Sequence, residues 1–465
     1  FVVAADKLLK EKGTMAIVIP EEFFVGGGAK SVRNFIFNGY SLQFVIRSGV
    51  EIAFSESALY RDYLVVLRKG KPVKRVVVII LKKKLEELRD KINELTYKVT
   101  QFMNSLDFKV TEEEFDAIKF SDADKLIMKH INNLKPLVGF NSIEAQLFAL
   151  ELLNEIKGFP TIKELRESKL LDLKLYRPGQ YRARGVESFA EKLFTSKYGA
   201  RSPNVKFIIE HIKENKVRLR LKEKLSMFVD LPIESTVPSL RTYSGVTFMD
   251  LTGKEEVAII DVTKIPEHTL KLSGLIPLEK VSAAAQDIKE AYKDLSGNIL
   301  IARRIQLTSP GAYWLAFYSD NRVLGSQLPS IKVKKGIYGK LLTLYLNSIA
   351  GLLQVLSFVA ESRGAWVSLD HERVWSNLHV PLLEKQKKSV LKKCLELFDK
   401  IKKFDVRPLF ERVKSHDPIQ REIDELALEM LGLNHWKPRL DEIYNAVAKE
   451  LETMHKILET SRKKP

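Results

Sequence analysis

The apolar positions of this chain change period several times, and each change predicts a new element. Val2, Ala5, Leu8 and Leu9 share one face of a helix, Gly13 stops it, and residues 14–19 read as a buried strand that Pro20 ends. A helix over 29–37 follows, then three short β runs at 42–47, 63–68 and 75–81, so residues 14–81 predict an α/β unit. From Lys82 the spacing becomes three and four, and Leu85, Leu88, Ile92, Leu95 and Val99 predict a long helix. More helix is expected up to Gly158, with Asn141 or Ser142 as a cap and Gly158 as the stop. Residues 159–382 have another texture, in which "GVTFMDL", "VAIIDV", "NILIARRIQL", "YWLAFYS" and "IKVKK" alternate with turn formers such as "RPGQYRARG" and "SPGAY". That pattern predicts an irregular β-rich domain. From Glu384 the pattern is helical again, in "EKQKKSVLKKCLELFDKIKKF", "PIQREIDELALEMLGL" and "KPRLDEIYNAVAKELETMHKILET". Four units result: an α/β unit over 1–82, a helical connector over 83–157, a mixed α+β domain over 158–382 and a helical segment over 383–465.

Composition adds one pointer. The 465 residues are 45% hydrophobic and 29% charged, which is a globular balance, and the longest apolar run, 76–81, is far shorter than the roughly 20 residues a membrane helix needs. A cytoplasmic protein without a membrane partner is expected. The single cysteine, Cys394, rules out disulfide frameworks and CxxC zinc sites. The formal charge of +17, from 76 Lys+Arg against 59 Asp+Glu, attracts polyanions, and nucleic acid is the leading candidate.

Several chemistries lack their residues. "GIYGK" at 336–340 is too short for the GxxxxGK[ST] phosphate loop, and no GxSxG elbow or HExxH pair occurs. Asp250, Asp261 and Lys264 lack the spacing of a nuclease cluster, and no metal site is expected at His371 or His379. The triplet Gly26–Gly28 lacks GxGxxG spacing and reads as a surface loop.

"FVVAADKLLKEKGTMAIVIPEEFF" followed by "GVEIAFSESALYRDYLVVLRKG" resembles the second half of the catalytic domain of adenine-specific DNA methyltransferases of the gamma type, found in restriction-modification systems. Phe1, Gly13 and Pro20 hold the places of a Phe-led helix, a glycine and a strand ending in proline. Phe54, residues 63–67 and Lys69 match a Phe at the turn before an antiparallel strand that ends in a basic residue. The resemblance implies a partial Rossmann-like sheet, a target-base stacking role for Phe54 and contact of Phe1 with S-adenosylmethionine. A base inside a duplex must be flipped out before it can be methylated, and an aromatic face then replaces its lost stacking. The family's Asn-Pro-Pro-Tyr catalytic loop and its Gly-rich cofactor loop are absent, since the sequence has no Pro-Pro pair. Catalytic residues therefore stay unassigned, and the chain is expected to begin after those motifs, as a truncated or split gene product would.

A second resemblance covers the middle. Residues 297–333, the Leu346-Asn347-Ser348 helix and the segment from Pro381 to Gln386 are similar to target recognition domains of restriction-modification enzymes. Basic and aromatic residues interleave there as phosphate and base contacts require: Tyr181, Arg182 and Arg184; Arg303 and Arg304 with Trp314; Arg322; and Lys332, Lys334 and Lys335. The lysine-rich helix over 386–403 reads either as a phosphate track or as a solvated face. The reading is a site-specific adenine methyltransferase acting on double-stranded DNA, present without its cofactor and catalytic motifs. The alternative is a non-enzymatic specificity subunit that guides a separate catalytic polypeptide. A third, an RNA-binding protein, predicts no preference for duplex over single strand.

Overall fold

Six strands from the first 121 residues pair into one mixed sheet: β1 (Thr14–Pro20), β2 (Tyr40–Ser48), β3 (Asp62–Lys69), β4 (Arg75–Leu81), β5 (Lys109–Thr111) and β6 (Phe115–Ser121), in the order β1-β3-β2-β4-β6-β5. This computed structural model describes residues 2–462, apart from 52–53, 55–60, 71–74, 175–186, 199–203, 225, 276–277, 327, 360, 363–365 and 370–371. β3 runs antiparallel to both of its neighbours, and β2 runs parallel to β4. Because successive side chains alternate faces, Val45, Val65, Leu67, Val78 and Ile80 pack with Phe24 and Ile36 on one side. Val77, Ile79, Leu81 and Phe115 pack with Leu88 and Phe102 on the other.

The connector departs from expectation. Residues 83–157 were expected to be helical throughout, yet β6 lies antiparallel to β4 along its whole length, with Val78 opposite Ile118. Asp116 and Lys119 hide this strand in the sequence by interrupting its apolar pattern. In the fold Lys119 is buried and donates to the carbonyls of Phe102 (2.9 Å) and Ser105 (2.8 Å), while Asp116 pairs with Lys82 at 2.7 Å. The long helix is also broken, at the 3-10 turn Arg89–Lys91, and resumes as Ile92–Asn104. The next helix, Ile143–Glu155, is capped by Ser142, whose side chain accepts from the Ala145 amide.

The middle holds a second mixed sheet. β7 (Leu171–Lys174) lies at one edge; a three-stranded antiparallel sheet, β8 (Phe207–Lys213), β9 (Lys216–Leu221) and β10 (Phe228–Pro232), follows in sequence. β11 (Thr236–Leu240), β12 (Glu256–Ile259), β13 (Gly297–Ile301), β14 (Arg304–Gln306), β15 (Ala316–Gly325) and β16 (Ser330–Val333) come next, and the second six-stranded sheet runs β12-β11-β15-β13-β16-β7. The segment "GVTFMDL" forms no strand beyond a single bridge from Asp250 to Tyr318. The helix Leu278–Leu295 packs with β8, β9 and β12 in a core of their own.

One large core joins what the sequence divides. Phe140, Leu152, Leu173, Leu300, Phe317, Leu353, Cys394, Leu426 and Leu451 all belong to it, so the connector, the middle sheet and the C-terminal helices bury their apolar faces together. At its centre the helices Gly336–Leu346 and Ile349–Phe358 meet at 68°. Among the described residues no single helix is long and apolar enough to cross a membrane. Asn347, at the break between those two helices, accepts from the Leu315 amide at 2.7 Å and donates to the Ala316 carbonyl at 2.8 Å. Ser348 caps the second helix by accepting from the Gly351 amide. The Leu-Asn-Ser segment is therefore a buried corner that pins a helix break to β15.

Candidate nucleic-acid interface

Phe54 sits in the connection between β2 and β3. Its amide donates to Asp62 Oδ1 at 2.7 Å, and its half-buried ring packs against the cluster of Val77, Ile79, Leu81 and Phe115 on the sheet face. The hollow it lines measures about 690 Å3 and is walled by apolar chains including Leu64, Val66, Ile79 and Leu95. At the same end of the sheet, Arg61 is buried and donates to the Ser48 carbonyl at 3.0 Å. Phe1, Tyr181, Arg182 and Arg184 lie outside the described residues.

The other expected contacts fall in different places. Arg304, on β14, is exposed with its guanidinium 5.6 Å from the centre of the Trp366 ring; Arg303 beside it is half-buried. Lys332, Lys334 and Lys335 are exposed, with Lys332 on β16 opposite Asp172 and Lys335 at the start of Gly336–Leu346, its ammonium 5.3 Å from the Tyr338 ring.

Two assignments need correction. Trp314 is fully buried, donating its indole N–H to the Thr247 carbonyl at 2.8 Å, with the Arg412 guanidinium 4.1 Å from its ring centre. An indole with both its face and its N–H engaged inside the core cannot meet a base. Arg322 turns its guanidinium to the end of Leu278–Leu295, where it donates to the Lys293 carbonyl at 2.6 Å and reaches the carbonyls of Tyr292 and Ser296. It closes a helix C-terminus, where cations are favoured, and is not free to read DNA.

The lysine-rich helix is Lys388–Ile401, and much of its charge is neutralised locally. Lys393 pairs with Glu429 at 2.7 Å, Lys400 with Glu422, and Lys402 with the buried Asp250 at 2.9 Å. Asp250 and Asp261 each accept from an amide two residues ahead, Thr252 and Thr263, so both shape turns. Burial pushes the Cys394 thiol up to about 12, which keeps it inert. Among the described residues no three His, Cys, Asp or Glu side chains gather as metal ligands would.

The sequence reading passed over a cleft between the first unit and the middle. About 450 Å3 in volume, it is lined by Lys30, Lys129, Lys157, His130 and His379, with Gly27 at its edge. These positions are spread over some 350 residues of chain, and no local motif could have joined them.

The sequence matches no known family profile and no curated protein. Two solved structures are similar to the chain. One is the type IIG restriction endonuclease BpuSI, at 12% identity and a TM-score of 0.43 over 99% of this chain and 49% of that one. The other is the type IIL restriction-modification enzyme MmeI in complex with DNA, at 11% identity and a TM-score of 0.43 over 96% of this chain and 50% of that one. The chain thus spans about half the length of each.

Proposed function

We propose that this chain is the DNA-contacting part of a site-specific adenine DNA methyltransferase of a restriction-modification system. The observation that carries the reading is the arrangement around Phe54. β3 lies antiparallel between β1 and β2, and the connection into it is tied by the Phe54 amide to Asp62, with the half-buried Phe54 ring lining an apolar hollow beside the sheet, in the order that the resemblance implies. A ring so placed supplies a face for an extruded base, worth roughly 1–3 kcal/mol per stacked base. The middle unit, with exposed Arg304 on β14 and Lys332, Lys334 and Lys335 on and after β16, supplies cations for phosphates and base edges. Methyl transfer itself belongs to S-adenosylmethionine and a catalytic loop whose residues this sequence does not contain. Of the residues described, none is assigned to that cofactor.

The test is a selection of duplexes from a random pool, followed by a salt series on the enriched and unenriched sequences. Phosphate contacts set the slope and base contacts separate the two curves. Enrichment of one sequence family, with duplex bound better than single strand, is the expected result. Equal binding to single strands, or a pool from which nothing is enriched, overturns the proposal.

A further inference from the structure

The cleft between the first unit and the middle has a cationic lining. Lys30 and Lys157 are exposed, and neither makes a hydrogen bond or ion pair among the described residues. Lys129 donates only to the neutral Asn154 amide, at 3.2 Å. Among the described residues no Asp or Glu lines the cleft. Under its floor lies Arg33, fully buried, whose four hydrogen bonds all go to carbonyls: Phe23 (2.6 Å), Gly26 (2.9 Å), Ile131 (2.7 Å) and Asn132 (3.1 Å). Arg33 thereby ties the glycine turn to the 130–133 loop through carbonyl acceptors, with the Glu22 charge nearby. Lys135, nearby, pairs instead with Glu21 at 3.1 Å.

His379 completes the wall. Its Nδ1 donates to the Phe159 carbonyl at 2.7 Å, which fixes the ring and the tautomer and leaves Nε2 without a partner among the described residues. Glu164, whose carboxylate feels the His379 ring, is already held in a capping box with Thr161. A group bearing several negative oxygens and no need of a carboxylate partner fits such a lining, and Lys is suited to phosphate as a point charge.

We propose that this cleft is a phosphate-binding subsite, with Lys30, Lys129 and Lys157 holding a phosphodiester of the DNA backbone. The proposal rests on the DNA-binding reading for its ligand source, because the lining comes from the unit carrying Phe54, from the connector with Lys129 and Lys157, and from the unit carrying the recognition strands. A duplex engaged by the first and the last of these has to pass this junction.

The experiment uses the full chain, a labelled random duplex, and the double variant Lys30→Ala/Lys157→Ala, with Lys271→Ala as a control for loss of charge elsewhere. Both target lysines are exposed, and equal thermal midpoints confirm folding. The double variant is expected to bind roughly tenfold more weakly near 0.1 M salt and to lose about 2 from the slope of log K against log salt, since each released phosphate contact contributes about 0.9. In a parallel arm, thermal midpoints are read with inorganic phosphate and with ATP. Wild-type binding to DNA with an unchanged slope in the double variant overturns the subsite. If the wild type binds no duplex, the DNA reading fails by itself. In that case stabilisation by ATP or phosphate that the double variant loses keeps the phosphate chemistry of the cleft, and no stabilisation overturns it.

Discussion

Trp314 fills the space between Thr247 and Arg412, and the guanidinium on its face donates to the carbonyls of Arg407 and Tyr313 and to Gln420. Trp314→Ala should lower stability by about 3–5 kcal/mol in urea unfolding, as large cavities do, and should leave the salt slope of DNA binding unchanged in whatever fraction stays folded. A sequence reading could not see this, because an aromatic beside two arginines looks the same on a surface and in a core. Asp424 is another buried polar residue: burial raises its pKa to about 7, although Ile349, Gln420 and Tyr444 all donate to it. A folded value above the unfolded one of about 3.9 means that the native state holds the proton more tightly. Its contribution to stability is therefore full below about pH 4, falls as the pH rises towards 7, and is constant above that. Asp424→Asn removes the titration, so the urea midpoint of wild type minus that of the variant should decline across this window. A flat difference would refute the assignment.

At the scale of elements, the helix Gly336–Leu346 lies against β15 at unusually close range. A Cβ on Gly339 would stand 2.5 Å from the Tyr318 ring, and one on Gly336 would stand 2.8 Å from its hydroxyl. "GIYGK" thus owes its glycines to this contact and not to a phosphate. Gly339→Ala should cost about 1–3 kcal/mol through overpacking, read as a drop in thermal midpoint, although alanine is the better helix former. The strands of the first unit were legible because their apolar runs are bounded by Gly13, Pro20 and basic residues. β6 was not, since its charged positions are satisfied by a helix-end carbonyl pair and by Lys82, partners that only the fold brings near. β8 to β11 were missed for a related reason. β9 places Arg218 and Arg220 between its apolar residues, so the alternation that marks a half-exposed strand also reads as a basic loop. Phe54 is singled out by resemblance alone, whereas the cationic cleft needs three-dimensional neighbours.

For the whole molecule, a shared core decides which pieces can stand alone. The helices Lys388–Ile401, Pro418–Leu431 and Leu440–Arg462 contribute Phe398, Leu426, Tyr444 and Leu451 to the same cluster as Phe317 and Leu353. A chain ending at Leu382 should therefore be insoluble or expanded, with a lost near-ultraviolet circular dichroism signal, instead of folding as a recognition domain with its tail removed. A soluble, cooperatively melting product would show that the tail is an accessory. The +17 charge is distributed over this one body, and salt-bridged lysines on the C-terminal helices account for part of it.

One polar chain spans that body. Arg47 at the end of β2 donates to the Asn141 side-chain oxygen, Asn141 donates to Glu450 at 2.8 Å, and the Ser142 amide donates to the other Glu450 oxygen at 2.7 Å. A strand next to the Phe54 connection is thereby bolted to the last long helix. On the proposed function, this makes the molecule a rigid ruler: the base chosen for extrusion stands at a set number of steps from the letters read by the middle unit, and loosening Glu450 would blur that spacing before it abolished binding.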